Sequence, residues 1–378
     1  MKKMKLIFFL SLGHFANDFY PGLLSPLLPV FMNRYGWSFT EAGILVTVLQ
    51  TACNVSQPVV GIINDHRPMK SLLWWGLIIS ALPFAFVLNI SRFDLMMLAM
   101  VVSGIGVGMF HPVAAVAAGN PANDRRRGFS MALFSAGGMV SFMVAPLAAV
   151  LIIEVLGDVF MPLIIMPALV VALLFILQRN ITFQEGHGYS LAEWFISIAR
   201  SGRELFLLWL ISTFRAIVHV LLGSFLPALA MARGASYTRG AFFLSITLFA
   251  SMVGMIIGGH LSDVYGSKKI MASTMFAATP LLYGFMFTSG PISIILLVLG
   301  MGMLSSTIPA NIILAQCANP KLPGMASSLV MGLSFGVGAI AATPFGMLAD
   351  RIGIETAMNV PLILPLFGCL AVAFLRYK

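Results

Sequence analysis

Within a long apolar run near the start of the chain, His14, Asn17 and Asp18 fall within about one helical turn, with His14 and Asp18 four residues apart. Far downstream, Arg215 and His219 repeat that spacing. Side chains four apart on a helix share a face. An imidazole beside a carboxylate can take up and release a proton, since histidine titrates near neutral pH. A guanidinium offers a permanent charge and a fork of donors to an oxyanion. Ionisable groups in hydrocarbon are costly and ordinarily face a partner or a watery cavity. Asp18 and His14 are therefore expected to couple to protons, and Arg215 to hold an anion. A plainer arrangement stays open, in which Asp18 and Arg215 neutralise each other as a static ion pair.

Other polar groups are set where they could line a path between such sites. Gln50, Asn54 and Gln57 stand at i, i+4 and i+7, a polar stripe on one face of an apolar stretch. Such a stripe belongs against a cavity and not against lipid. His111 precedes Pro112, and a proline inside a helix frees a backbone carbonyl. With Asn17 and His219, these residues are the expected substrate-lining set. The run Gly332-Leu-Ser-Phe-Gly336 matches a hydrolase nucleophile pattern, but that elbow needs a strand-to-helix turn and this run is continuously apolar. No apolar segment pairs a nucleophile with a base at usable spacing, so an enzyme is not expected.

The elements that must position these groups follow from composition. Hydrophobic residues make up 59% of the 378 and charged residues only 9%, against roughly 25% charged in soluble domains. Apolar segments long enough to cross a bilayer, roughly 20 residues each, lie near 6–32, 39–63, 70–90, 93–118, 128–155 and 159–178. A second set lies near 204–232, 237–262, 270–289, 291–316, 324–350 and 356–376. The expected fold is an all-α membrane protein of twelve transmembrane helices in two six-helix bundles, 1–178 and 204–378. Residues 179–203 form the expected linker, with Leu191, Trp194, Phe195 and Ile198 spaced as a short interfacial helix. At about 1.5 Å per residue, Asp18 sits roughly 20 Å and Arg215 roughly 16 Å from the start of its span, near the midplane in both cases.

The net charge of +9 does not point to nucleic acid, because the basic residues are dispersed among short loops. Sixteen of the 22 Lys and Arg residues fall on the side that carries both termini, and cytoplasmic loops hold the excess of positive charge. Both termini are therefore expected in the cytoplasm, in an inner membrane. Lys2, Lys3 and Lys5 precede an apolar segment running through Phe31 with no small-residue cleavage site, which reads as a retained first helix. Cys53, Cys317 and Cys369 lack CxxC spacing, so no disulfide, metal site or cofactor is expected.

The chain also repeats itself at an offset of 198 residues. Gly61-Ile-Ile-Asn-Asp65 with Arg67 and Lys70 recurs as Gly259-His-Leu-Ser-Asp263 with Gly266, Lys268 and Lys269. Pro29, Gly36, Ser38 and Thr40 map onto Pro227, Gly234, Ser236 and Thr238. A constant offset of half the chain implies two halves of like topology. Asp65 and Asp263 end their helices beside basic residues and are expected to latch a cytoplasmic gate on neighbouring helix N-termini. Glycines gather at Gly104, Gly106 and Gly108 and at Gly300 and Gly302, where small residues let helices approach.

These Gly-x-x-x-Asp loops, the second with Gly266-Ser-Lys268-Lys269, resemble the major facilitator superfamily. Ser11-Leu-Gly-His14-Phe-Ala-Asn17-Asp18, Gln57-Pro-Val-Val-Gly61, Asp65-His-Arg-Pro-Met69 and Phe110-His111-Pro112 are similar to its fosmidomycin resistance branch. The first loop departs from the family pattern at Pro68 and Met69. The glycine run of drug antiporters begins here at Gly137-Gly138, but Ala145 precedes Pro146. The resemblance implies a proton-coupled antiporter that expels small toxic compounds by rocking two bundles around a central site; with Arg215 as the anion contact, the expected protein is a monomer exporting anionic compounds such as phosphonates. The proton gradient would supply the energy. Proton-symport import of a metabolite and a non-transporting membrane sensor stay open as alternatives.

Overall fold

A chain this poor in charge has to satisfy its backbone within each segment, and helices do so without outside partners. The computed structural model describes residues 2–66, 69–119, 127–178, 196, 202–319 and 323–376, and no strand occurs among them. The first half contains α1 (Lys2–Tyr35), α2 (Phe39–His66), α3 (Ser71–Phe86), α4 (Phe93–Gly119), α5 (Arg127–Val150) and α6 (Met166–Leu177). The second contains α7 (Gly202–Ala232), α8 (Tyr237–Tyr265), α9 (Ser267–Phe287), α10 (Gly290–Ser305), α11 (Thr307–Ala318), α12 (Pro323–Ser328), α13 (Ser334–Ile340), α14 (Ala342–Ile352), α15 (Ile354–Met358) and α16 (Leu364–Ala373). Eleven described stretches are long and apolar enough to cross a membrane. With α1, itself 34 residues long, they make the twelve-helix all-α architecture expected from hydropathy. The linker 179–203 falls outside the described residues apart from Ile196 and Gly202–Arg203, so its interfacial helix does too.

Several expected spans are not single α-helices, the twelfth among them, where a 3-10 turn at Pro361–Ile363 separates α15 from α16. The tenth breaks between α10 and α11 at Ser306, and Pro309 is the reason: it lacks the N–H that would bond the Ser305 carbonyl. The eleventh breaks at Ala341, and Pro344 stands in the same relation to Ile340.

The chain divides into two compact units, Met1–Gly36 with Ile44–Ser190, and Trp37–Gly43 with Leu191–Lys378. The repeated residues recur for local reasons in both halves of the sequence. Gly36 and Gly234 both have positive φ, 68° and 82°, with nothing crowding them, so backbone conformation selects glycine there. Ser38 and Ser236 cap the helices that follow: Ser38 Oγ accepts from Glu41 N at 3.2 Å, and Ser236 Oγ from Arg239 N at 3.3 Å. The first is a full capping box, since Glu41 Oε2 accepts from Ser38 N at 2.7 Å. One brace that sequence reading missed is also duplicated. Arg34 donates to Leu88 O and pairs with Asp158, while Arg233 donates to Met286 O and pairs with Glu355 at 3.4 Å.

Glycine sets the helix spacing at equivalent places in both units. A Cβ on Gly108 would lie 1.8 Å from Ser56 Oγ, and one on Gly254 2.0 Å from Gly302 O. A Cβ on Gly106 would lie 2.3 Å from Ser80 N, an immovable backbone atom, whereas Gly336 has nothing within 4 Å. Gly106→Ala is therefore expected to cost about 1–3 kcal/mol through overpacking. Gly336→Ala, inside α13, should be neutral or stabilise by up to about 1 kcal/mol. Thermal unfolding of the two variants in detergent checks the contrast; equal shifts would refute the packing role of Gly106.

Candidate functional site

In the first unit, α1, α4 and α5 converge on Asp18. The approach of α5 depends on two glycines. A Cβ on Gly137 would meet Ser11 O at 2.2 Å, and one on Gly138 would meet His14 Nε2 at 2.6 Å and Asp18 Oδ2 at 2.7 Å. Ser11 Oγ ties the same helices together by donating to Leu133 O at 3.0 Å. On that packed face, His14 Nε2 lies 3.1 Å from Asp18 Oδ2, and His111 Nε2, from α4, lies 2.9 Å from Asp18 Oδ1. The two imidazoles meet edge to face at 4.9 Å, and His14 stacks on Phe134 at 4.3 Å. Asn17, fully buried, donates to Val107 O at 3.3 Å, and its Oδ1 has no partner among the described residues.

The hydrogen-bond inventory of this cluster demands a proton. His14 Nδ1 lies 2.8 Å from Phe134 O, and a carbonyl only accepts, so Nδ1 carries a hydrogen. In a neutral ring Nε2 is then an acceptor, facing a carboxylate oxygen that is also an acceptor. At 3.1 Å the two repel unless one proton lies between them. His111 Nε2 faces the other carboxylate oxygen, Oδ1, at 2.9 Å. The three donor atoms lie within 4.8 Å of one another, near enough to share a small cation, and a proton suffices. Side chains of His14, Asp18 and His111 keep 12%, 10% and 20% exposure, so the cluster is not fully enclosed.

The second unit carries the opposite charge. Arg215, on α7, is 1% exposed. Its Nη2 donates to Ser212 Oγ at 3.2 Å, while Nε and Nη1 have no partner among the described residues. Phe335 lies under the guanidinium at 5.9 Å, a contact that offsets only part of the cost of burying a charge. Asn311, on α11, donates to the same Ser212 Oγ at 2.7 Å and to Leu208 O at 3.1 Å, leaving Oδ1 without a partner among the described residues. His219 Nε2 meets Ser305 Oγ at 3.1 Å, whose hydroxyl donates to Met301 O.

Of the remaining expected residues, Gln50, Asn54 and Gln57 are half-buried, and Gln57 donates to Cys53 Sγ at 3.3 Å within α2. Ser334, centre of the hydrolase-like run, is buried between helices with its Oγ bonded to Trp209 O, as the apolar context predicted. Among the gate residues, Arg67 and the side chain of Asp65 lie outside the described residues. Gly61 packs on Pro112 and Gly259 on Pro309, a shared arrangement of the two units. Asp263, Lys269 and Lys70 are exposed, and Gly266 turns the chain at φ 91°. Lys268 donates to Leu375 O at 2.6 Å and Ala373 O at 3.3 Å, so it caps the last helix, where a cation is favoured.

A third Gly-x-x-x-Asp pattern, Gly346 to Asp350, passed unnoticed in the sequence because it has no counterpart 198 residues earlier. Asp350 accepts from Phe39 N at 2.8 Å, Thr40 N at 2.9 Å and Thr40 Oγ1 at 2.5 Å. A Cβ on Gly346 would meet Phe39 O at 2.1 Å, and one on Gly43 would meet Ala342 O at 2.2 Å. The carboxylate thus caps the start of α2, where both the free N–H groups and the helix dipole favour it.

A sequence model of the Major Facilitator Superfamily matches residues 10–343. The chain is 26% identical over 376 residues to the fosmidomycin resistance protein of Escherichia coli (strain K12), covering 96% of this chain and 91% of the relative. It is 27% identical over 392 residues to the uncharacterized MFS-type transporter YfnC of Bacillus subtilis (strain 168), covering 97% and 91%. The quinolone resistance protein NorA of Staphylococcus aureus (strain MRSA252) is 28% identical over 128 residues, a third of each chain. In fold, it is similar to the inward-facing, unoccupied bacterial homolog of the human lysosomal transporter Spinster, with TM-score 0.82 at 15% identity over 98% of this chain and 96% of the other.

Proposed function

The chain belongs to the Major Facilitator Superfamily, and from that membership we propose that it is a proton-coupled antiporter exporting a small organic anion. The observation that carries the coupling is the His14 Nε2 to Asp18 Oδ2 contact of 3.1 Å with Nδ1 held by the Phe134 carbonyl, an arrangement that needs one exchangeable proton. Arg215, buried with two unpartnered nitrogens, supports the anion. Export is supported by the relatives named for resistance to fosmidomycin and quinolones, with phosphonates the first substrates to try.

In this scheme two six-helix halves, 1–178 and 204–378, joined by 179–203, alternate access to the site in a monomer. The protein lies in an inner membrane with both termini in the cytoplasm, and the proton gradient is its energy source without a cofactor. Asp18 and His14 carry the proton, with His111 as their neighbour. Arg215 binds the anion, and Asn17, Gln50, Asn54, Gln57 and His219 line the path.

The sign of flux tests the scheme. In inverted vesicles with an acid lumen, fosmidomycin is expected to accumulate inside as protons leave, and collapse of the pH gradient should stop it. Acid-driven loss of preloaded compound would instead identify symport, and absence of any gradient-dependent flux across a panel of anions would leave a non-transporting protein.

A further inference from the structure

The site around Arg215 holds more than a positive charge. Ser212 Oγ is the shared acceptor of Arg215 Nη2 at 3.2 Å and Asn311 Nδ2 at 2.7 Å, so the guanidinium and the amide are both anchored to one hydroxyl. The Asn311 amide is oriented, because Leu208 O can only accept and therefore faces Nδ2. Its Oδ1 is turned away from that carbonyl, 1% exposed as a residue and without a donor among the described residues. Two buried donors on Arg215, Nε and Nη1, are likewise unmatched. Buried polar atoms are ordinarily paired, and these three are gathered on two adjacent helices, α7 and α11.

A simple anion would answer Arg215 but leave Oδ1 facing another acceptor. On the anion-contact reading of Arg215, we infer that Asn311 selects oxyanions that also carry a hydrogen-bond donor, such as a phosphonate monoanion retaining its P–OH. The charge-bearing oxygens face the guanidinium, and the P–OH, or an equivalent O–H or N–H, donates to Asn311 Oδ1. Donor-free anions of the same charge, such as a phosphonate monoester, are discriminated against, because they leave a buried acceptor unpaired. Asn311 is thus a specificity-determining residue, and Ser212 positions it against Arg215.

The test compares phenylphosphonate with its monomethyl ester, both singly charged at mildly acidic pH, in equilibrium binding to the purified full chain in nanodiscs. The unmodified protein is expected to prefer the acid by about tenfold or more. Asn311→Leu should bring the two affinities together, chiefly by weakening the acid, while Arg215→Gln weakens both. Equal binding of acid and ester to the unmodified protein, with both lost in Arg215→Gln, would overturn the role of Asn311 and leave that of Arg215 intact. Binding indifferent to Arg215 would overturn both. The comparison in the unmodified protein decides the matter even if the Asn311 variant fails to fold.

Discussion

Asp18→Asn is expected to reduce pH-gradient-driven flux in proteoliposomes by at least about a hundredfold, the low end of what a positioned proton carrier contributes to a rate, while substrate binding survives. Asparagine has the shape of aspartate and cannot exchange a proton. With His14 Nδ1 held by Phe134 O at 2.8 Å, the ring would accept from the new amide at Nε2, so the cluster remains assembled but neutral. Counterflow of substrate against substrate, which needs no net proton movement, should persist. That separates lost coupling from lost folding. Retention of pH-driven flux in the D18N variant would sink the proton-carrier role of Asp18. His14→Gln should lower coupling more than His111→Gln, because only His14 shares a proton that the hydrogen-bond inventory requires.

How much of this was legible in the sequence depends on whether the signal was local. His14 and Asp18 share a face by helical spacing alone, and their 3.1 Å contact is what an i,i+4 pair makes. His111 joins them from ninety-odd residues away, and only a histidine-proline in an apolar run hinted at it. The twelve helices followed from hydropathy because segment length dominates in a bilayer. Their breaks did not, although Pro309 and Pro344 mark two of them in hindsight, since proline kinks are tolerated in many membrane helices that stay continuous, as Pro112 does in α4. Ser212, Asn311 and Ser305 left no trace at all: single small polar residues in apolar helices ordinarily bond the preceding turn, as Thr213 and Thr247 do here. The repeat revealed caps and turns that both halves retain. Gly346 and Asp350 escaped it because they belong to one half only.

Arg215→Met should produce two opposite changes, and together they decide what the arginine is for. Removing two unpartnered donors from an anion site forfeits charge-assisted hydrogen bonds of about 1.5–3 kcal/mol each, so affinity for a phosphonate should fall by roughly a hundredfold or more. Thermal stability without ligand should rise instead, because the folded protein no longer buries a guanidinium whose Nε and Nη1 are unmatched. A site kept unsatisfied for a ligand costs stability, and its removal returns some of it. The unmodified protein should gain about 2.7 kcal/mol at a hundred times the dissociation constant, a shift that Arg215→Met abolishes. A static structural pair predicts the reverse pattern: loss of the arginine would strand a buried carboxylate and destabilise the fold by about 3–5 kcal/mol, with ligand affinity unmoved. Melting curves of both proteins, with and without phosphonate, distinguish the two outcomes by sign.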